Sequence, residues 1–346
     1  MPGPHRPQRL ARVHKLGHDE VVYLGFRPRR LVVMQLNNRA ACLCDALASA
    51  AESLRVAVQR CPSGARLVDC GIDAPGGLEA GLHLARVALA GLASVELVPD
   101  RHLPLPRVVV RTDHPAAACM GSQYAGWAIR VGDYFAMASG PMRAAAAKEP
   151  LFQKLDLAER PSQAVGVLET CRLPSPEVCQ YVASQCGVPA HGLILLAART
   201  SSLAGMVQVV ARSLETALHK LLELGFDLKQ VEAGFGAAPL PPVAKSDQEA
   251  MGRTNDAVLY GSEVVLWVRG DDSVIAQVGP RLPSEASADY GTPFLELLQR
   301  CGGDFYALDP LLFGPAAVTM CNVDTGRAFR FGRVAAERLA SLLGLP

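Results

Sequence analysis

The chain has 346 residues, half of them hydrophobic and 19% charged, with a formal net charge of +1 at neutral pH. Such a composition buries a large core, excludes a disordered chain, and at this length favours two domains over one. A near-zero charge leaves no overall field for nucleic acid or a membrane surface, and no apolar run reaches the length that spans a bilayer.

Residues 1–34 stand apart. They carry Arg6, Arg9, Arg12, Lys15, Arg27, Arg29 and Arg30 among several prolines, with little periodicity. They read either as a basic arm for an anionic surface or as an extension outside the folded core. No apolar stretch follows Met1-Pro-Gly-Pro, which argues against a secretory leader. Organised sequence starts just after Met34, itself a candidate start.

From there helices and strands alternate. A helix is expected over 40–58, a strand over 66–70, a helix with one small-residue face over 76–90, and strands over 94–98 and 107–111. Further strands are expected over 164–168, 193–197, 263–268 and 316–323. Helices are expected over 177–185, 206–224, 293–299 and 335–343. This alternation predicts an α/β protein of layered domains. The charged, proline-flanked region 150–161 is the expected joint, giving 35–155 as a first domain and 156–346 as a second.

Ten cysteines are scattered without a Cys-x-x-Cys, and there is no His-Glu-x-x-His. No metal site is signalled, and cysteines in apolar runs read as small core residues of a reducing cytosol.

Several connections carry chemistry-bearing residues. Asp69-Cys-Gly71-Ile-Asp73 runs into Gly76-Gly77, which suits either backbone approach to an anion or a tight strand-to-helix turn. In Thr112-Asp113-His114-Pro115, His114 is a candidate acid or a plain turn residue. Residues 132–143 read as a loop in which Tyr134, Phe135 and Met137 offer surface for a planar ring, while Ser139 can cap a helix beside Arg143. Residues 251–256 read as a loop whose Arg253, Asn255 and Asp256 suit either the donor and acceptor edges of a heterocycle or the capping of neighbouring elements. Gly234-Phe-Gly236 begins like a dinucleotide fingerprint and fails at the third glycine. Most informative is the amphipathic stretch 207–223. One continuous helix there would align Gln208, Arg212, Glu215 and His219 along one flank. That arrangement serves acid–base chemistry, or it is an ordinary exposed ion pair.

In their order along the chain, Val68-Asp-Cys-Gly71, Gly76-Gly-Leu-Glu-Ala-Gly81, Thr112-Asp-His-Pro115, Val131-Gly-Asp-Tyr-Phe-Ala-Met137, Ser139-Gly-Pro141, Ala211-Arg212 with Glu215-Thr216, Ala250-Met-Gly-Arg-Thr-Asn-Asp256, Leu282-Pro-Ser-Glu285 and Asp289-Tyr-Gly291 resemble the methenyltetrahydromethanopterin cyclohydrolase family. The resemblance runs from about Gln35 to the C-terminus. It implies a cytoplasmic hydrolase of one-carbon metabolism with a ligand cleft between two α/β domains, typically a homotrimer. Its substrate would be the tetrahydromethanopterin derivative, with no prosthetic group or metal. It implies catalysis by Arg212 and Glu215. Asp133, Tyr134, Arg143, Arg253, Asn255, Asp256 and His114 are candidates for holding the pterin and its tail, and His219 for tuning Glu215. The alternatives are a cyclohydrolase for methenyltetrahydrofolate, a non-catalytic pterin-binding paralogue, and, on the N-terminal arginines alone, a nucleic-acid-binding protein. In a bacterium the pathway implied is formaldehyde oxidation to formate.

Overall fold

A computed structural model describes residues 34–346. The basic arm, Met34 excepted, lies outside the described residues. The strands are β1 (Ala57–Arg60), β2 (Arg66–Asp69), β3 (Ser94–Pro99), β4 (Pro106–Thr112), β5 (Trp127–Val131) and β6 (Tyr134–Ser139), followed by β7 (Ala164–Glu169), β8 (Leu193–Ala198), β9 (Val231–Pro239), β10 (Glu263–Val268), β11 (Ala317–Asn322) and β12 (Ala328–Gly332). They form two six-stranded mixed sheets, ordered β1-β2-β8-β7-β6-β5 and β12-β11-β10-β9-β4-β3. The first is parallel across β2-β8-β7 and the second across β10-β11; the other neighbours are antiparallel. The α/β architecture expected from the alternation is present. Each sheet takes strands from both sides of residue 155, so a linear cut there passes through both.

The first sheet is covered on both faces, which is why β7 and β8 are nearly all apolar. Leu193, Leu195 and Ala197 of β8 pack toward Val178, Cys179, Val182 and Cys186 on the helix Pro176–Cys186. Ile194, Leu196 and Ala198 face the opposite way. There they meet Ala40, Cys44 and Leu47 of the helix Leu36–Ser49 and Leu84 and Val87 of the helix Leu78–Ala88. The small-residue face of Leu78–Ala88 allows close packing: a Cβ on Gly81 would stand 2.6 Å from the Val207 side chain. A third cluster, with Leu259, Tyr260, Phe294, Leu297 and Leu298, gathers around the helix Asp247–Gly261.

Several elements differ from expectation. The helix expected over 40–58 gives way after Leu54, where Arg55 adopts a left-handed conformation and the chain turns into β1. Residues 132–143 are largely a hairpin: β5 and β6 pair, and Gly132-Asp133 make its two-residue turn with Gly132 at φ +57°. Residues 251–256 are not a loop but the middle of the helix Asp247–Gly261, capped by the Ser246 side chain.

Candidate functional site

The stretch 207–223 is not one helix. It is two, Leu203–Val210 and Ser213–Glu223, broken at Ala211-Arg212. β9 passes so close that a Cβ on Gly236 would lie 2.8 Å from the Leu214 amide nitrogen. Around the break the backbone is satisfied locally. The Ala211 carbonyl accepts from Gln123 Nε2 at 3.0 Å, and the Arg212 carbonyl accepts from the Thr216 amide at 2.8 Å. The break frees Arg212 from helical alignment while leaving Glu215 in the first turn of the second helix.

Here the ion pair is buried. Arg212 Nη1 lies 3.8 Å from Glu215 Oε2, and Glu215 is only 6% exposed. Burial raises the Glu215 pKa from the usual carboxylate range to about 7, with Arg212 and then Arg143 pulling against that rise. The guanidinium is held elsewhere. Its Nη1 donates to the Gln123 carbonyl, and its Nη2 donates to Ser139 Oγ at 3.1 Å and Gln208 Oε1 at 3.2 Å. Ser139 therefore serves Arg212 and caps no helix.

Arg212 and Glu215 open into a cavity of about 180 Å³. Its walls come from several parts of the chain: Met137 of β6, Glu169 at the end of β7, Met251 and Asn255 of the helix Asp247–Gly261, and the aromatic segment Phe305, Tyr306 and Phe313. Tyr306 donates to the Ala125 carbonyl at 2.9 Å and so ties the aromatic wall to the residues after the π-helical turn Ala116–Gln123. His219 lines the cavity with its ring stacked on Tyr124, centroids 4.7 Å apart. Burial lowers the His219 pKa, which favours the neutral imidazole at pH 7.

Of the residues expected to hold a substrate, Asn255 is on the cavity wall, its Nδ2 donating to the Met251 carbonyl at 2.8 Å. The others lie outside the lining. Asp133 sits exposed at the hairpin tip, paired with Arg172 at 2.7 Å. Tyr134 is packed in the core beneath that hairpin. His114 is an exposed turn residue. Arg253 is committed to Glu249 at 2.6 Å and to the Pro242 carbonyl at 3.1 Å. Asp256 is buried and accepts from the Phe294 amide at 2.9 Å; its burial raises its pKa to about 6. Arg143 is fully buried and forked onto Glu149, at 2.9 and 2.5 Å. It reaches the site only through its field on Glu215 and by lying over the Tyr124 ring, 5.0 Å from its centroid. The Asp69 turn is filled from within: the carboxylate accepts the amides of Gly71, Ile72, Asp73 and Ala74 at 2.7–2.9 Å.

Sequence reasoning did not single out Glu169, Tyr124 or the aromatic wall. Glu169 had a signal: a carboxylate closing an apolar parallel strand, where open α/β sheets place ligand groups. No local pattern announces the aromatic wall, which reaches the cavity from nearly a hundred residues downstream. No cluster of three or more metal-ligating side chains occurs among the described residues, and no described helix is long and apolar enough to cross a membrane.

Fold and cavity together define a class: an α/β protein in which a half-ionised acid and a guanidinium share an apolar-walled chamber, equipment for moving a proton onto or off a bound molecule. The chain belongs to the family Cyclohydrolase (MCH), which matches residues 35–342. It is 48% identical over 292 residues to a methenyltetrahydromethanopterin cyclohydrolase of Xanthobacter autotrophicus, covering 84% of this chain and 87% of that protein. The protein of the same name from Rhodopirellula baltica is 46% identical, over 82% of this chain and 87% of its own length. That from Methanospirillum hungatei is 38% identical, over 87% and 96%.

Proposed function

We propose that the chain hydrolyses the methenyl bridge of 5,10-methenyltetrahydromethanopterin to give the 5-formyl compound. The observation that carries this reading is Glu215, buried on the cavity wall beside Arg212, where desolvation pushes its pKa up to about 7. The methenyl carbon lies between two nitrogens that share a positive charge, so it is electrophilic before the protein acts. Water is the poor partner, and a carboxylate with a pKa of about 7 is a strong enough base to improve it. As the water oxygen bonds to the methenyl carbon, Glu215 takes one of its protons, leaving a neutral tetrahedral hydroxy compound. Glu215 then gives that proton to N10 as the carbon–N10 bond breaks. As the carbon–oxygen double bond forms, the hydroxyl proton returns to Glu215 and passes to solvent. The balance is one cation and one water in, one neutral formyl compound and one proton out.

Arg212 supports the oxygen as charge builds on it. The aromatic wall of Phe305, Tyr306 and Phe313 suits a flat heterocycle, and Asn255 offers an amide edge to it. A divalent metal would repel the cationic substrate, so the reaction as written uses none and needs no prosthetic group. With this reading go a cytoplasmic setting, a homotrimeric assembly and, in a bacterium, formaldehyde oxidation to formate.

The test is direct. Purified protein is added to the methenyl compound and loss of the amidinium absorbance is followed, with methenyltetrahydrofolate in parallel. Turnover of the methanopterin compound, undiminished by chelators, is expected. No turnover of either compound sinks the reading, and preference for the folate compound transfers it to that substrate. Light scattering on the same sample tests the trimer.

A further inference from the structure

The Arg212–Glu215 pair is unusually open. A charge-assisted N–H···O contact closes to about 2.7–2.9 Å, and this one stands at 3.8 Å although both partners are buried. Nη1 is committed to the Gln123 carbonyl, and Nη2 is drawn away from Glu215 by a relay that begins at a second carboxylate. Glu169, the last residue of β7, lines the same cavity. Thr200 Oγ1 donates to its Oε1 at 2.5 Å, and Gln208 Nε2 donates to its Oε2 at 3.4 Å. With its amide nitrogen drawn to a carboxylate, Gln208 must turn its oxygen the other way, and that oxygen accepts from Arg212 Nη2 at 3.2 Å.

We propose that Glu169 is a positioning residue: through Gln208 it holds the Arg212 guanidinium back from Glu215, so that the pair stays open to the cavity. The inference deepens the hydrolase reading above and rests on it for its purpose, though not for its test. An open pair leaves Glu215 able to take up a proton. A closed fork would fix the carboxylate in its ionised form and fill the space between the two groups.

The surroundings give the proposal a definite sign. Glu169 is faced by Thr200, Gln208, Arg212, Asp247 and Tyr306; Glu215 is faced by Arg212, Arg143, Cys119 and Tyr124. Replacing Glu169 with glutamine frees Gln208 to turn and so releases the guanidinium toward Glu215. A closer guanidinium favours the ionised form of Glu215, so its titration midpoint moves down.

The experiment follows the Glu215 side-chain carboxyl by 13C NMR in the unliganded protein, the signal being assigned by its loss in Glu215→Gln. In Glu169→Gln the midpoint should fall by at least about one pH unit. In the exchange variant Glu169→Gln with Gln208→Glu, a carboxylate again draws Arg212 away, and the midpoint should return to the wild-type value or above it. Gln208→Met breaks the relay while leaving Glu169 in place and should also lower the midpoint; it decides the matter if Glu169→Gln does not fold. An unmoved midpoint in Glu169→Gln and Gln208→Met, or an equal fall in the exchange variant, overturns the proposal. Because the titration needs no substrate, it decides this point even if the wild-type protein turns over no methenyl compound, an outcome that would sink only the functional reading. Where turnover is present, Glu169→Gln should lower kcat about tenfold with KM little changed, and the exchange variant should recover most of the loss.

Discussion

Two largely buried arginine–glutamate pairs lie close together in this molecule and do opposite things. Arg143 and Glu149 meet as a two-point fork, and the guanidinium also donates to the Met120 and Ser122 carbonyls at 3.1 and 3.2 Å. The Tyr124 and Phe152 rings flank it. That pair holds the π-helical turn against the helix Met142–Ala146. Arg212 and Glu215 stand 3.8 Å apart, and no described side chain donates to Glu215 at hydrogen-bond distance. The lesson is that burial of an ion pair does not mark a site. What marks one is burial with the acid left incompletely paired, because only then does desolvation move its pKa into the working range.

The sharpest way to break this comparison is Glu215→Gln. It should fold, bind the methenyl compound with a KM within a few-fold of wild type, and lose about a thousandfold in kcat; wild-type turnover would make Glu215 as structural as Glu149. Next is Arg143→Met, which strands Glu149 and two carbonyls. It should lower the free energy of unfolding by about 3–5 kcal/mol in urea titrations; a change below about 1 kcal/mol would mean the fork holds nothing in place.

A third test reads the opposite sign at the open pair. The folded-state pKa of Glu215, about 7, lies above its ordinary value of 4.5. The folded protein therefore keeps a proton that the unfolded chain sheds between those pH values, and it pays for a bare buried carboxylate above pH 7. Glu215→Gln removes that cost. Its melting temperature should exceed the wild-type value at pH 8, by the equivalent of up to about 3 kcal/mol, and the gain should vanish below pH 4.5. An active-site variant less stable than wild type at pH 8 would contradict the burial argument.

Turnover itself should rise with pH. Below about 7 the protonated acid cannot take a proton from water, so kcat/KM should fall about tenfold per unit and level off above pH 8. A flat profile between pH 5 and 8 would remove Glu215 from the chemistry. The smallest effect is expected at the exposed hairpin tip. Asp133→Asn breaks a surface pair with Arg172, and the melting temperature should not move measurably, with kcat/KM within twofold. A large loss of substrate affinity there would extend the binding surface well beyond the cavity.

How much of this was legible beforehand follows from physical range. Strands β7 and β8 announce themselves because burial on both faces demands continuous apolar residues. β9 does not: Gly234 and Gly236 weaken its pattern, and their reason lies in Leu214, which packs so closely that any Cβ would collide with it. The helix break at Ala211-Arg212 lies beside the same contact and leaves no mark on the periodicity, since the apolar spacing continues through it. Arg212 and Glu215 remain neighbours because their three-residue spacing survives that break. The charges of Arg143 and Asp133 are visible in sequence, but their partners Glu149 and Arg172 are not. The Gly132-Asp133 turn between alternating apolar residues was a readable hairpin signal, and it puts Asp133 at a tip and not at a wall.

The interleaving of the two sheets constrains the order in which the protein can assemble. Once Ala198 has been made, every strand of the first sheet exists, whereas the second consists only of the β3–β4 hairpin. The free edge of β4 must wait for β9, and the chamber lacks its aromatic side until Phe313 emerges. A nascent chain stalled after Glu215 but before β9 would hold both reactive side chains in an unfinished cup, with an unpaired strand edge that invites misassociation.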